Sequence, residues 1–223
     1  MPEINYLRGA FVAYPPGGYP NDRRMIPFRF NPEGLARQLS VEQGESGGGA
    51  ESAAGGSAEA GAEQGADATS GTLKESFSVL IRFDFAERVE GASSLPAELG
   101  IAPEIAALEE LLYPIESDTE APADGTEPTR ARPQRWTVLF LWGRKRVLPV
   151  RITGMTINET VYNNELNPLR AEVDVSLEAL GEADARDNLA VSEALSFTGQ
   201  QRRRLAEDFF SQTSSQNTNV LPP

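Results

Sequence analysis

The chain has 223 residues, 33 acidic against 20 basic side chains, a formal net charge of -13 and 39% hydrophobic residues. That is enough for one principal core, and the lack of both histidine and cysteine removes imidazole bases, thiolate nucleophiles, disulfides and Cys/His metal sites. The negative charge opposes a phosphate backbone, and no apolar run reaches the length of a membrane span, so neither nucleic-acid binding nor direct membrane insertion is expected.

Taken in order, Ile4, Tyr6 and the stretch from Gly9 to Tyr14 read as a first β-like piece. It ends at Pro15-Pro16-Gly17-Gly18-Tyr19-Pro20, whose residues favour turns and resist a central ladder. Met25, Phe28 and Phe30 then supply a short extended segment closed by Asn31-Pro32. Between 42 and 70 Gly, Ala, Ser, Glu and Gln dominate, with no aromatic and no basic residue. Ordering each residue costs about 1–2 kcal/mol of backbone entropy that such side chains cannot return, so this segment is expected to be a disordered acidic insertion.

Phe77, Val79, Ile81, Phe83 and Phe85 occupy alternate positions, which makes one face of a strand; Arg82 and Asp84 fall on the other. A helix is expected over about Pro103 to Tyr113, with proline in its first turn and Ile105, Leu108, Leu111 and Leu112 at helical spacing. Pro114 stops it, and 115–134 reads as a second acidic loop. Trp136 to Trp142 and Arg146 to Thr153 form a hairpin about Gly143-Arg144-Lys145. Val138, Phe140 and Trp142 share one face of it and Leu139 and Leu141 the other, so both faces need cover, from the core, from neighbouring elements or from another subunit.

A third strand is expected over 155–162, and the regular alternation of Leu169, Ala171, Val173, Val175 and Leu177 makes 169–180 the clearest half-buried strand. Two short helices are expected, Asp187 to Leu195 and Gln200 to Phe210, the second placing Arg202, Arg203 and Arg204 beside Leu205, Phe209 and Phe210; Ser211 onward reads as a tail. The expected fold is mainly β, a barrel or sandwich with a short packed helix. Its organisation would be a β domain over 1–180 and a helical extension with a flexible tail over 181–223.

No serine or threonine has a histidine partner, no phosphate-binding loop ends in Gly-Lys-Ser/Thr, and no acidic loop has calcium-binding spacing. No catalytic residue, cofactor or metal site is therefore assigned, and the expectation is a structural protein rather than an enzyme. Arg82 with Asp84, and the basic turn from Arg144 to Arg146, read as charged surface or interchain contacts. The arginine run at 202–204 reads as a solvated face or a dock for an acidic protein surface.

Several ordered segments together resemble the tube-protein family of contractile injection systems, particularly its baseplate-proximal adaptor members. They are Phe28-Arg29-Phe30-Asn31-Pro32, Val79-Leu80-Ile81-Arg82-Phe83-Asp84, Ile105 through Tyr113-Pro114, Val138-Leu139-Phe140-Leu141-Trp142-Gly143 and Asn167-Pro168 through Leu177. The resemblance implies a small β-barrel decorated by a helix, arranged as a hexameric ring that joins a spike to the inner tube. Partners would be further copies of the chain, the spike protein, the inner-tube protein and other baseplate subunits. Location would be the cytoplasm during assembly and then an injection particle. Candidate interface residues are Arg82, Asp84, Trp142, Arg144, Arg146 and Arg170. The alternatives are an ordinary inner-tube subunit and a free-standing protein-binding module that uses the 200–210 surface.

Deletion of residues 45–68 is expected to leave cooperative unfolding intact, because the segment lacks the apolar side chains that build a core. Circular dichroism of the shortened chain in a urea titration checks this, and a lost transition beside a normal one in the parent rejects it.

Overall fold

The computed structural model describes residues 9–28, 32–42, 72–86, 95–115 and 134–213. Apart from their end residues, the acidic insertion and the acidic loop expected at 42–70 and 115–134 lie outside the described residues, as does 214–223. The strands are β1 Ala10–Tyr14, β2 Arg24–Pro27, β3 Leu35–Glu42, β4 Thr72–Asp84, β5 Thr137–Leu141, β6 Val147–Tyr162 and β7 Pro168–Ala179. They form one seven-stranded sheet in the order β2-β1-β5-β6-β7-β4-β3, with every ladder antiparallel. The mainly β expectation holds as a single β-rich sheet with helices. Instead of two stacked sheets there is one, with β2 and β3 at its edges and no ladder joining them among the described residues.

A lone sheet must still bury its apolar face, and this one does so by rolling. Phe77 of β4 and Phe140 of β5 have ring centroids 6.3 Å apart, although three strand spacings separate them in the sheet. Flat, those spacings would amount to about 14 Å. Phe11 of β1 and Phe28, just beyond β2, complete the cluster at 5.6 and 6.1 Å from the Phe140 ring, and all three rings are wholly buried. The alternating side chains expected on β4 and β7 line the same core: Phe77, Val79, Ile81 and Phe83 from one, Ala171, Val173, Val175 and Leu177 from the other.

The segments read as separate strands at 146–153 and 155–162 are the two halves of β6. Register slips between Ile152 and Gly154, so that Val150 and Ile152 face the core before the slip and Met155 and Ile157 pack against it afterwards. One extra residue, Thr153, switches the inward parity from even to odd, which is what a bulge does; its hydroxyl donates to the Ser176 carbonyl. β3 had no sequence expectation. It is an edge strand whose residues are largely exposed, so the core never imposed an alternation on it.

Helix α1, Ala102–Glu110, buries Ile105 and Leu108 and has a proline in its first turn. It stops earlier than its apolar spacing suggests: Leu111 is in a turn and Tyr113 is exposed. After a one-turn α2, Glu182–Ala185, the two short C-terminal helices expected from the sequence are a single 25-residue helix, α3, Leu189–Thr213. Gly199 lowers helix propensity by about 1 kcal/mol relative to alanine, too little to break a helix already anchored on a sheet.

The anchor is the back of the sheet. Ala190, Val191 and Ala194 are buried, and Ala194 packs with Val12, Tyr14 and Leu139, flanked by Tyr19, Leu141 and Val147. Thr198 accepts a hydrogen bond from the Val147 amide and donates one to the Val147 carbonyl, at 3.1 and 2.7 Å. Tyr19 donates its hydroxyl to Glu193, and that hydrogen bond, helped by burial, pushes the phenol pKa up to about 12. The second apolar face of β5, which the sequence left open to cover by another subunit, is therefore covered by the chain's own α3.

Phe140→Ala is expected to lower the unfolding free energy by about 3–5 kcal/mol, from lost transfer energy and from a cavity that four other aromatic groups cannot collapse to fill. Urea denaturation measures it, and a loss under about 1 kcal/mol, well below the range for a buried phenylalanine, would show that the ring does not clamp the roll.

Candidate assembly surfaces

Arg82, Asp84 and Arg170 come together on the solvent face of β4 and β7. In that antiparallel register Asp84 stands opposite Arg170 and Arg82 opposite Glu172, the positions at which cross-strand pairs meet. Arg170 donates through Nε and Nη2 to one oxygen of Asp84, at 2.9 and 2.6 Å. Arg82 donates through Nε to Glu172 at 2.9 Å and through Nη1 to Glu33 at 3.2 Å, and Ser78 extends the ladder to Asp174.

Burial alone would push the Asp84 carboxyl up. Hydrogen bonds from the Ala86 amide and Arg170, with the Arg170 charge, outweigh it and hold the group below the usual aspartate value. The Glu172 hydrogen bond and charge raise the Arg82 pKa, with Glu33 adding to them. The ladder is exposed to solvent, so screening keeps its contribution to stability small. Its effect is on surface charge: Arg82 and Arg170, expected to reach a neighbour, already have carboxylate partners inside the chain.

Trp142, Arg144 and Arg146 belong to a second place, the β5–β6 turn. The Trp142 amide donates to the Arg146 carbonyl at 3.0 Å, Gly143 takes a φ of 71° that its lack of a Cβ permits, and Trp142 stacks on Phe140 with centroids 5.7 Å apart. Arg144, Lys145 and Arg146 are left exposed on a turn whose base is fixed in the core. Arg146 precedes the first residue of β6, while Arg170 pairs with Thr160 near its last. The six candidates therefore make two charged surfaces at opposite ends of β6, not one site.

Sequence reasoning missed a third place, the β6–β7 turn. Asn163 accepts from the Glu165 and Asn167 amides, while the side-chain amides of Asn163 and Asn167 both donate to the Glu98 carbonyl at 2.7 and 2.9 Å. The Ile101 amide donates to the Pro168 carbonyl at 2.8 Å, with Gly100 beside it at φ 54° and so close that a Cβ would lie 2.2 Å from that oxygen. The turn residues at 163–168 were legible; the segment they clamp is some sixty-five residues away in sequence, and no local pattern announces it.

The sequence model of a family described as contractile injection system tube protein matches residues 12–188. The chain belongs to that family. Its general function is that of a tube protein of a contractile injection system, a structural role. A comparison with curated proteins finds no match. The matched span holds six strands whole and β1 from Val12, and ends just before α3 begins at Leu189. Among the described residues no His, Cys, Asp and Glu side chains are grouped to hold a metal ion.

Asp84→Asn is expected to cost less than about 1 kcal/mol at pH 7. Because the folded-state pKa is depressed, the Asp84 contribution is present above the unfolded value near 3.9 and is lost as pH falls through the folded one, so the difference between the two proteins should shrink as pH falls from about 5 through the carboxylate range. Urea titrations across that range check the sign; a difference that grows on acidification rejects it.

Proposed function

We propose that this tube-family chain is a baseplate-proximal adaptor: six copies close a ring that joins the spike and baseplate to the inner tube, assembling in the cytoplasm before entering the particle. The observation that carries the reading is the sheet with two open edges. β2 and β3 each present a row of backbone donors and acceptors that no described strand pairs, and a rolled sheet with two different free edges suits edge-to-edge joining of one copy's β2 to the next copy's β3. Such a contact is heterologous, and it closes into a ring when the rotation per copy divides the circle.

Two features favour an adaptor over an ordinary inner-tube subunit. α3 runs 25 residues beyond the family match, and the basic β5–β6 turn projects from a rigid base. A subunit that repeats identically along a tube meets only its own kind. An adaptor must in addition meet unlike partners on its two sides, and both features are added surface for doing so.

Purified chain, alone and with the cognate spike and inner-tube proteins, would be followed by native mass spectrometry and negative-stain electron microscopy. Six-membered rings that bind the spike and seed tube growth are expected. Extended tubes made of this chain alone favour the inner-tube reading, and a monomer under every condition overturns both. Arg144→Glu with Arg146→Glu should leave the thermal transition nearly unchanged while weakening ring yield or spike attachment, most at low salt where the new repulsion is least screened. Wild-type ring yield and spike affinity across salt would remove that turn from the contact surface.

A further inference from the structure

The core of the rolled sheet is not sealed on every side. Between the turn that follows α1, the start of β5 and the first half of β6 lies a cleft of about 210 Å3, with room for several waters and so for one branched aliphatic side chain. Leu111, Val138, Val150 and Ile152 line it from the core, and Leu112 stands at its lip, 37% exposed. Arg135 and Trp136 adjoin that lip, and the Arg24 guanidinium lies over the Trp136 ring, 4.6 Å from its centroid. Arg151, which also lines the cleft, is paired with Asp184 at 3.4 Å. Arg24 and Arg135 are exposed, and neither forms an ion pair among the described residues. In a chain of net charge -13, this apolar cleft has a cationic lip.

A projection of complementary shape and charge occurs at the β6–β7 turn. Leu166 is 79% exposed, more than any other large hydrophobic side chain among the described residues. Its backbone is left-handed, at a φ of 63°, and its amide donates to the Asn163 carbonyl at 3.1 Å. Such backbone persists where the surroundings over-determine it, and here the Asn163 and Asn167 side chains clamp the turn on Glu98. Leu166 is therefore an apolar knob held in a fixed place. Glu165 in the turn and Glu98 in the clamped segment are exposed, and neither carboxylate forms an ion pair among the described residues.

We propose that Leu166 of one copy seats in the cleft of a second copy of this chain, with Glu165 and Glu98 set against Arg135 and Arg24. The two surfaces match in chemistry, an apolar knob with an acidic surround against an apolar cleft with a cationic lip, and a knob already held in place loses little further freedom on docking. From Ile152 in the cleft to Tyr162 at the turn, β6 rises about 33 Å, so the clamped turn does not fill the cleft of its own chain. The contact uses different patches on the two copies and is therefore heterologous. It goes beyond the adaptor reading and uses neither of the sheet edges that would close the ring.

The chain contains no cysteine, so introduced cysteines report the contact without background. Asn164→Cys beside the knob and Leu112→Cys at the lip, each protein checked for a wild-type unfolding transition, would be mixed under mild oxidation and compared with each protein alone. A disulfide-linked dimer specific to the mixture is expected. Leu166→Asp in the Asn164→Cys partner should cut its yield about tenfold; aspartate tolerates left-handed backbone, so the loss reads docking rather than folding. Arg135→Glu in the Leu112→Cys partner should lower the yield as well, and Glu165→Lys in the Asn164→Cys partner should restore it. No dimer above the single-variant controls, or a yield indifferent to Leu166→Asp or to the charge reversal, overturns the proposal. So does closure of the disulfide within one monomer when both cysteines are placed in the same chain. Ring formation is read separately by native mass, so the docking contact and the adaptor reading can fail independently.

Discussion

The structure depends on one ring, Phe140. The ring stands at the centre of an aromatic group drawn from β1, β4, the end of β2 and the β5–β6 turn, and it is the reason a single sheet can have a closed core. Burying a large apolar side chain is worth about 1.5–3 kcal/mol, while an exposed ion pair is worth under about 1 kcal/mol. The rolled face therefore decides the fold and the charged ladder on β4 and β7 only trims it. Rolling also has a consequence on the other side: the back of β1, β5 and β6 keeps apolar residues that must be covered. α3 covers them, so the helix is part of the same packing solution as the aromatic cluster.

The parts of this solution that were legible in the sequence are those where burial imposes a strict period. β4 and β7 each have one face in the core and one in water, so Phe77 to Phe83 and Ala171 to Leu177 read correctly residue by residue. β3 has no such constraint, since Leu39 and Val41 remain exposed, and its alternation was too weak to see. β6 misled for a different reason. A bulge at Thr153 changes which parity faces inward, and a reading that assumes one parity per strand must cut the strand there. The two halves of α3 looked separate because the first half packs on a sheet and the second half is exposed, so their compositions differ although the backbone is continuous.

The candidate contact residues show the same division. Strand period placed Arg82 and Asp84 on a common solvent face, and turn residues placed Arg144 and Arg146 at an exposed corner; both placements agree with the structure. The sequence could not supply partners. That Arg82 lies opposite Glu172 and Asp84 opposite Arg170 follows from the register of two strands almost ninety residues apart, and register is fixed by the core, not by the charges. Hence Arg82, Asp84 and Arg170, chosen for reaching outward, were found in ion pairs within the chain, and the clamp of the β6–β7 turn on Glu98 came from long-range packing.

Charge gives the last constraint on how such a chain can assemble. Copies that each carry -13 repel at long range, so association needs local attraction strong enough to overcome that field at contact distance. A mobile basic tail would lose much of its attraction to the entropy of ordering it. α3 is different: its inner half is already fixed by Val191, Ala194 and Thr198, and an unbroken helix passes that fixed direction on to Arg202, Leu205 and Phe210. The ordering cost of the outer half is therefore largely met when the subunit folds. The continuity of α3 across Gly199 is what carries that fixed direction to its exposed end.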